Sequence, residues 1–407
     1  MKTINEPELE KVEEDLEEDL EEESISDFLE EQEEIKYTKE DFEQCVRNPH
    51  QYIMEWAEEN VIHVGKKFFK VLALQPCSLL LPNIAFRSTS IRSSFNIMFI
   101  APPSSGKSTI CRKYEEIVFN PYSVRSFSSA ELTTDLSKKD FFTVIIEDFS
   151  QMCEDYDTIK VLEGALGDEK ILNKRTKREQ INKKTNGVGL ICGTWHDLKK
   201  YLGSLKSGMF SRSFLFLLDL TKEQQRDIGR YINEGVGNKK FSEQSMIKEK
   251  VIKDYYKNIQ YIMMGKHKEI KKVTDFYLDD LLKKEIILTS WEKEIGLNKI
   301  KSDDDSHEID DFFTRELQEG YRFVISSALL NIFNRKCENG ILYPNKEDFL
   351  LAKELMIENL RNKINLIKSQ WYCNKNVKGD REVLKKILNS NIPRINKKII
   401  YHLSGGA

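Results

Sequence analysis

The chain has 407 residues and a net charge of −4, from 63 Lys and Arg against 67 Asp and Glu. That length is enough for two or three domains with a sizeable core. No apolar run approaches the roughly 20 residues that span a bilayer, and the N-terminus lacks the apolar region of a signal peptide, so we expect a cytoplasmic protein outside the membrane. The seven cysteines are far apart and never in C-x-x-C spacing, which predicts reduced thiols and no zinc site.

The acidic residues are concentrated near the N-terminus. Residues 6–34 carry 17 Asp or Glu against the single basic residue Lys11, and the rest of the chain holds 62 basic and 50 acidic residues, a net charge of about +12. A basic body with an acidic arm is typical of a protein that binds nucleic acid and screens its own binding surface. The alternative is a disordered tail that only aids solubility. We expect residues 1–36 to have no fold of their own.

Beyond the arm, the apolar pattern predicts helices first and a sheet next. Apolar residues at helical spacing indicate adapter helices over 37–90. From there to about residue 220, short apolar runs alternate with polar helical stretches, which favours a parallel sheet with crossover helices over 91–240. The strands are predicted at 95–100, 141–146, 188–192 and 214–218.

The last third of the chain predicts an α-helical domain over 241–370, because it lacks the alternation of strands. Helices are predicted at 243–264, 275–296, 315–334 and 346–369. In the tail, residues 371–407, two short amphipathic segments are parted by S-N-I-P and are a candidate helix-turn-helix.

Residues 101–109 read A-P-P-S-S-G-K-S-T, directly between the strand at 95–100 and a helix-favouring stretch at 110–117. This is the strand–loop–helix setting of a phosphate-binding loop, or P-loop. A surface turn before a helix is the alternative for the motif taken alone. The predicted fold class is therefore α/β with a P-loop core, a parallel sheet with flanking helices.

The loop supplies what a nucleoside triphosphate needs. Gly106 lets the backbone bend tightly around the phosphates, Lys107 places a cation at the β- and γ-phosphates, and Ser108 offers a hydroxyl to Mg²⁺. Ala101 replaces the first glycine of the usual pattern, which we expect to cost some backbone freedom. The expected ATP-binding residues are Ala101, Pro102, Pro103, Ser104, Ser105, Gly106, Lys107, Ser108 and Thr109.

Two acids and a threonine follow later strands. Glu147 and Asp148 end the strand at 141–146. We assign Glu147, with Ser108, to Mg²⁺ and Asp148 to the general base that polarises the attacking water. The customary order is Asp then Glu, and the swap favours metal binding over fast hydrolysis. Thr194 is a candidate for holding the lytic water. In the alternative, these residues merely end strands.

Two basic features point beyond a single chain. Arg212 stands just before the strand at 214–218, where an arginine usually enters the neighbouring subunit's site as a finger, which implies a ring. Residues 170–185 carry seven Lys and Arg against a single acid, Glu179, and two short strands there would form a hairpin that follows a phosphate backbone without reading sequence. A solvated loop is the alternative. The candidate DNA-binding residues are Lys174, Arg175, Lys177, Arg178, Lys183 and Lys184.

These residues together resemble the AAA+ core of the minichromosome maintenance (MCM) replicative helicases. The family's acid strand reads C-I-D-E-F-D-K-M, and this chain has I-I-E-D-F-S-Q-M at 145–152. The family's finger motif L-L-S-R-F-D is similar to M-F-S-R-S-F at 209–214, and its lid motif R-x-L-E-x-x-x-R is similar to R-E-L-Q-E-G-Y-R at 315–322. The resemblance implies that the α-helical domain over 241–370 is a lid on the ATPase core, and that Arg315, with Arg322 as runner-up, contacts the γ-phosphate of a neighbour.

The resemblance covers roughly residues 55–360 and implies a divergent relative. From the length of chain before the core, we expect no counterpart of the family's N-terminal DNA-binding domain. The implied function is an MCM-like AAA+ ATP hydrolase that couples turnover to DNA translocation or unwinding in replication, as a homo-oligomeric ring, expected to be a hexamer. A replication initiator or helicase loader that binds DNA without unwinding it is the alternative, and an AAA+ protein remodeller is a third reading. The acidic arm is a candidate contact for another replication protein.

Overall fold

The structure is a computed structural model that describes residues 36–81, 83–86, 89–124, 129–149, 156–167, 171–175, 180–195, 213–235, 239–286 and 306–376. Within these, only the backbone is described for residues 85–86, 89–91, 156, 171–175, 180–184, 235, 239–242, 306–315 and 367–376. The acidic arm through residue 35 and the candidate helix-turn-helix after residue 376 lie outside the described residues.

Helices precede, flank and follow the sheet. They are α1 (Lys39–Arg47), α2 (Pro49–Asn60), α3 (Lys66–Leu80), α4 (Lys107–Ile117), α5 (Ser129–Ser137), α6 (Tyr156–Leu166), α7 (Lys222–Gly235), α8 (Lys239–Met263), α9 (Asp280–Ile286), α10 (Ser306–Leu330) and α11 (Lys346–Asn376). Local sequence explains where they begin: Asn48 caps α2 by accepting a hydrogen bond from the Gln51 N–H, and Pro49 takes the first helical position. None of these described helices has the length and apolar character needed to cross a membrane.

The strands form one main sheet and three small ones. They are β1 (Ile84–Phe86), β2 (Thr89–Ile91), β3 (Asn96–Ile100), β4 (Pro121–Val124), β5 (Phe141–Ile146), β6 (Ile171–Arg175), β7 (Gln180–Lys184), β8 (Asn186–Gly193), β9 (Ser213–Leu217), β10 (Asp275–Phe276), β11 (Lys336–Glu338) and β12 (Ile341–Tyr343). The antiparallel pair β1–β2 lies at the end of the region 37–90, where the sequence predicted helices alone, and extends one residue beyond it.

The main sheet has the order β4-β5-β8-β3-β9, and every neighbouring pair is parallel. The four strands predicted from apolar runs are confirmed as β3, β5, β8 and β9, whereas β4 was missed. Burial explains the difference, because β3 and β9 are buried at every residue and read as continuous apolar runs, while β4 is buried only at Val124. The fold is α/β with helices packed around a parallel sheet.

One edge of the main sheet is closed by side chains of α11. The Leu215 N–H in β9 donates to Asn359 Oδ1 at 2.7 Å, and the Leu215 carbonyl accepts from Asn362 Nδ2 at 3.0 Å. These two asparagines satisfy backbone groups that an edge strand would otherwise leave unpaired. Asn359 also donates to Glu316 of α10 at 2.8 Å, and Glu316 forms an ion pair with Lys363 in which neither side chain is exposed.

The helical region after residue 240 contains a small sheet that the sequence analysis did not predict. Strand β12 pairs parallel with β10 and antiparallel with β11. Asn339 and Gly340 join β11 to β12 with φ of 52° and 81°. Asn-Gly is the strongest short signal for such a hairpin, so this dipeptide could have identified it. The predicted helix at 275–296 begins only at Asp280, because β10 occupies its first residues.

Candidate functional site

Three of the predicted chemical groups lie together at the carboxyl ends of the strands of the main sheet. The loop 101–106 follows β3, Glu147 follows β5 and Thr194 follows β8, all at carboxyl ends of parallel strands. Strand β8 lies between the other two, and the Ala101 N–H donates to the Gly193 carbonyl at 3.0 Å. Because neighbouring strands are about 4.8 Å apart, the backbones after β3 and β5 are separated by roughly 10 Å. Open α/β sheets bind ligands at the carboxyl ends of their strands.

The loop is wound around its own lysine. Lys107 Nζ donates to the Ala101 carbonyl at 3.0 Å and to the Pro102 carbonyl at 2.7 Å. Ser104 and Gly106 have left-handed φ values of 58° and 85°. Ala101 is buried and has no positive φ, so the expected cost of replacing glycine there does not arise.

The residues at the start of α4 suit an anion. Gly106 is the cap residue and has no side chain to accept from the first N–H groups of the helix. Ser108 and Thr109 are half-buried in the first turn, whereas Pro103 and Ser104 are exposed. Ser105 is 1% exposed, and its Oγ has no hydrogen-bond partner among the described residues. N–H groups at a helix start together with an unsatisfied hydroxyl fit a phosphate group.

Val61, in the segment between α2 and α3, packs on the loop and was missed by the sequence analysis. A Cβ added at Gly106 would lie 2.7 Å from Val61 Cγ1. The same segment contains two further positive φ values, 64° at His63 and 104° at Gly65. In the sequence, the Val-Gly dipeptide at 64–65 is the feature that could have indicated a turn in this segment. Val61 therefore forms an apolar wall beside the phosphate loop.

We expect Gly106→Ala to destabilise the fold by about 1–2 kcal/mol, because the backbone is left-handed there. If the loop binds a nucleotide, as we propose, the variant should also weaken that binding, because the new Cβ meets Val61. Adding Val61→Ala should restore part of the affinity while the strain remains. Urea unfolding and nucleotide titration measure the two effects. Gly229→Ala is the control, since that helical glycine has nothing near its Cβ, and it should stabilise the protein. Equal behaviour of both variants would contradict the steric argument.

The two acids differ in their surroundings. Glu147 is half-buried and lines a small cleft with Cys111 and Glu115 of α4, whereas Asp148 is exposed. Ser108 precedes Cys111 by three residues, so both lie on one face of α4, the side on which Glu147 lies. Among the described residues, no group of three His, Cys, Asp or Glu side chains could hold a metal alone. Mg²⁺ in nucleotide sites needs only one or two protein ligands beside the phosphates, and Ser108 with Glu147 fits that set.

Thr194 lies between the loop and the acids, as its place in the strand order requires. It directly follows β8 and is half-buried, and the next residue, Trp195, packs into the core beneath the sheet edge. The Thr194 hydroxyl is at the same end of the sheet as the start of the loop, because the preceding residue, Gly193, is hydrogen-bonded to Ala101.

Arg212 lies outside the described residues, but its neighbour Ser213 does not. Ser213 begins β9 and pairs with Asn96 at the start of β3, and both strands run toward the phosphate loop. Five residues of strand separate that start from the loop, a distance of roughly 16 Å. The chain at Ser213 is therefore at the amino-terminal end of the strands. Its distance from its own loop is greater than the length of an arginine side chain.

The two arginines assigned through the lid motif have different surroundings. Arg322 is 2% exposed, donates through Nε to the Arg92 carbonyl at 2.7 Å, and forms an ion pair with Glu319. These contacts hold Arg322 inside the core, where its guanidinium has no exposed surface for a nucleotide. Arg315 lies in α10 two turns earlier, in the part of the helix for which only the backbone is described. Arg315 is the residue that stays a candidate.

The predicted basic hairpin is present. Strands β6 and β7 pair antiparallel, with Ile171 opposite Lys184 and Arg175 opposite Gln180. Lys174 lies on β6 and Lys183 on β7, in segments described by backbone alone, and Lys177 and Arg178 lie outside the described residues. The hairpin leads directly into β8, the strand that ends beside the phosphate loop.

No protein-family model matches the chain, and no curated protein matches it. The interpretation of the site rests on the loop, the acids and the strand order themselves.

Proposed function

We propose that this chain is a P-loop ATPase of the AAA+ type, similar in its core to MCM helicases, that binds DNA through the hairpin β6–β7 and acts as a ring of identical subunits. The observation that carries the proposal is the strand order: β8, with Thr194 at its end, lies between the strand that leads into the loop and the strand that ends in Glu147 and Asp148. A polar group between the phosphates and the acids is what water-mediated hydrolysis needs.

The loop would bind the triphosphate of ATP. Lys107 would exchange the Ala101 and Pro102 carbonyls for the β- and γ-phosphate oxygens, which its flexible side chain allows. The N–H groups that begin α4 and the Ser105 hydroxyl would donate to the phosphates. Ser108 and Glu147 would hold Mg²⁺, which when bound neutralises the charge that develops on the phosphates. Val61 would offer an apolar surface near the base or sugar.

Asp148 and Thr194 would act on the attacking water. Asp148 is exposed and sits one residue beyond the metal-binding acid, so it would accept the proton of the water. Thr194 would orient that water through its hydroxyl. The shorter Asp at the general-base position predicts slow turnover, because a retreat of one methylene is costly for proton transfer.

The proposed ring follows from the position of β9. The start of β9 lies at the amino-terminal end of the strands, away from the loop of its own chain. Arg212 would therefore contact the nucleotide of a neighbouring copy. Arg315 would reach the same nucleotide from the lid helix α10. The edge of β9 is already covered by α11, so a neighbouring copy would not join by extending the sheet.

The hairpin supports the DNA part of the proposal. It enters β8 within two residues, so a change at Thr194 on hydrolysis could be transmitted along one strand to the DNA contact. The chain between β5 and β8 would then link ATP turnover to movement along a phosphate backbone.

DNA-stimulated ATP hydrolysis tests the proposal. We expect single-stranded DNA to raise turnover severalfold. The stimulation should weaken steeply between 50 and 200 mM salt, because a protein that contacts several phosphates loses about 10³-fold or more in affinity over that range. Lys174→Glu with Lys183→Glu should keep basal turnover and lose the stimulation. Lys266→Glu with Lys268→Glu, on an exposed turn elsewhere, is the matched control and should behave like the unaltered chain. Turnover indifferent to DNA at low salt would contradict DNA binding by the hairpin.

The swapped acids favour a second candidate, a replication initiator or loader with a long-lived ATP state. Strand displacement on a forked DNA substrate separates the two functions. A loader would bind DNA and assemble with ATP but leave the fork intact, whereas the helicase reading requires displacement of one strand.

A further inference from the structure

Two buried thiols touch beside the phosphate loop. Cys111 Sγ of α4 lies 3.4 Å from Cys192 Sγ of β8, and both residues are free cysteines with no more than 3% of their surface exposed. They are 81 positions apart in the chain, so tertiary structure alone brings them together. Their spacing in the sequence predicted only separate reduced thiols.

The pair joins the two elements that form the site. Cys111 follows Lys107 by four residues, one helical turn, on the helix that the loop begins. Cys192 precedes Thr194 by two residues and pairs with Phe99, two residues before Ala101. A covalent bond here would fix the distance between the phosphate loop helix and the strand that ends in Thr194.

We propose that Cys111 and Cys192 are a reversible oxidation site, at which a peroxide converts the two thiols into an intramolecular disulfide. Hydrogen peroxide oxidises one thiol to a sulfenic acid, its O–O bond breaks, and one water leaves. The second sulfur then attacks the sulfenic sulfur, an S–S bond forms, the S–O bond breaks, and a second water leaves. The two thiols lose two hydrogens and two electrons, and a dithiol reductant returns them by exchange.

The surroundings set how the site is reached. Cys111 lines the small cleft beside Glu147 and Glu115, and we infer that a small oxidant would approach its sulfur from there. The contact with the Cys192 thiol, burial and these carboxylates hold the pKa of Cys111 well above its usual value. Because both sulfurs are buried, the reaction is slow, and the two thiols persist until peroxide accumulates.

Closing the bond changes the site. The two sulfurs must approach from 3.4 Å to about 2.05 Å, which draws α4 and β8 together. Ser108 and Thr194 move with these elements. A shift on the order of 1 Å in a reacting geometry can lower a rate by about 100-fold, so the oxidised chain should hydrolyse ATP at least about tenfold more slowly. This functional consequence rests on the proposed ATPase, whereas the formation of the disulfide does not.

Peptide mapping of the full chain tests the site. After treatment with hydrogen peroxide, non-reducing digestion and mass spectrometry should recover one peptide pair that joins Cys111 to Cys192, about 2 Da lighter than the two thiol peptides together. Dithiothreitol should separate it. Cys111→Ala and Cys192→Ala should each abolish the pair, and alanine keeps the position apolar so that folding is retained. Cys77→Ala, at a buried cysteine of α3, is the control and should leave the cross-link intact.

ATP turnover is measured on the same samples. The oxidised chain should lose at least about tenfold in rate and recover with dithiothreitol, while Cys111→Ala and Cys192→Ala should be insensitive to the same peroxide treatment. Reduced Cys111 and Cys192 after exhaustive oxidation would overturn the proposal, and so would Cys111 found only as a sulfinic or sulfonic acid. A cross-linked chain that never hydrolyses ATP would instead contradict the proposed function and leave the oxidation site standing.

Discussion

Lys107→Ala is expected to abolish nucleotide binding and to lower ATP turnover by at least about 100-fold, the usual effect of removing one donor to developing negative charge. Lys107 is the cation of the loop, and no other lysine lies in residues 101–109. The fold should be retained, because Lys107 is only half-buried and the two carbonyls to which its side chain donates belong to its own loop. Titration with a fluorescent ATP analogue measures binding. Lys138→Ala, at an exposed ion pair, is the control and should bind normally.

Mixing variants then tests whether the site is shared between copies. Arg212→Ala should bind ATP and fail to hydrolyse it. In a mixed ring, a site with Lys107 from one chain can meet Arg212 from its neighbour, so two inactive proteins together should recover up to about a quarter of the unaltered rate by random assembly. Recovery requires a neighbour. If Arg212→Ala alone turns over normally, or if mixtures stay inactive although rings form, the finger assignment is wrong.

Lys363→Met is expected to destabilise the protein by about 3–5 kcal/mol, because it leaves the Glu316 carboxylate unpaired where neither partner of the ion pair is exposed. The variant also weakens the hold of α11 on β9, since Asn359 bonds both Glu316 and Leu215. Urea unfolding measures the loss. Lys138→Met at the exposed pair with Asp135 should change stability by less than about 1 kcal/mol.

A double variant separates charge burial from packing. Glu316→Gln with Lys363→Met removes both charges and keeps an acceptor for Asn359, so most of the lost stability should return. If the single and double variants unfold at the same denaturant concentration, lost packing of the lysine side chain accounts for the effect and the buried charge does not.

Much of the sheet and the loop could be predicted because their signals are local. Strands buried on both faces read as apolar runs, and the phosphate loop is a contiguous motif between a strand and a helix. The hairpin β6–β7 was predictable from polar residues around a turn. Strand β4 was not, because only Val124 is buried in it, and the β11–β12 hairpin was overlooked although Asn339 and Gly340 announce it.

The parts of the site that were missed depend on contacts between distant residues. Val61 touches Gly106 across 45 positions, and Cys111 touches Cys192 across 81, and neither pair has a pattern that sequence could display. Arg322 and Arg315 are equivalent in spacing, yet burial beside Glu319 and the Arg92 carbonyl assigns Arg322 to the core. Spacing along a helix indicates a face, whereas the neighbours of that face are chosen by packing.

By itself, the sequence determined the chemistry available to this protein: a glycine and a lysine in a phosphate loop, two acids after an apolar strand, and a basic hairpin, all defined by residue type and short-range order. Only the tertiary structure decided which of these groups meet, because the order β4-β5-β8-β3-β9 is set by long-range strand pairing and side-chain packing. The loop, Glu147 and Thr194 lie at the carboxyl ends of the strands, whereas Ser213 lies at their amino-terminal end. The physical reason is that parallel strands direct all their carboxyl ends to one side of a sheet.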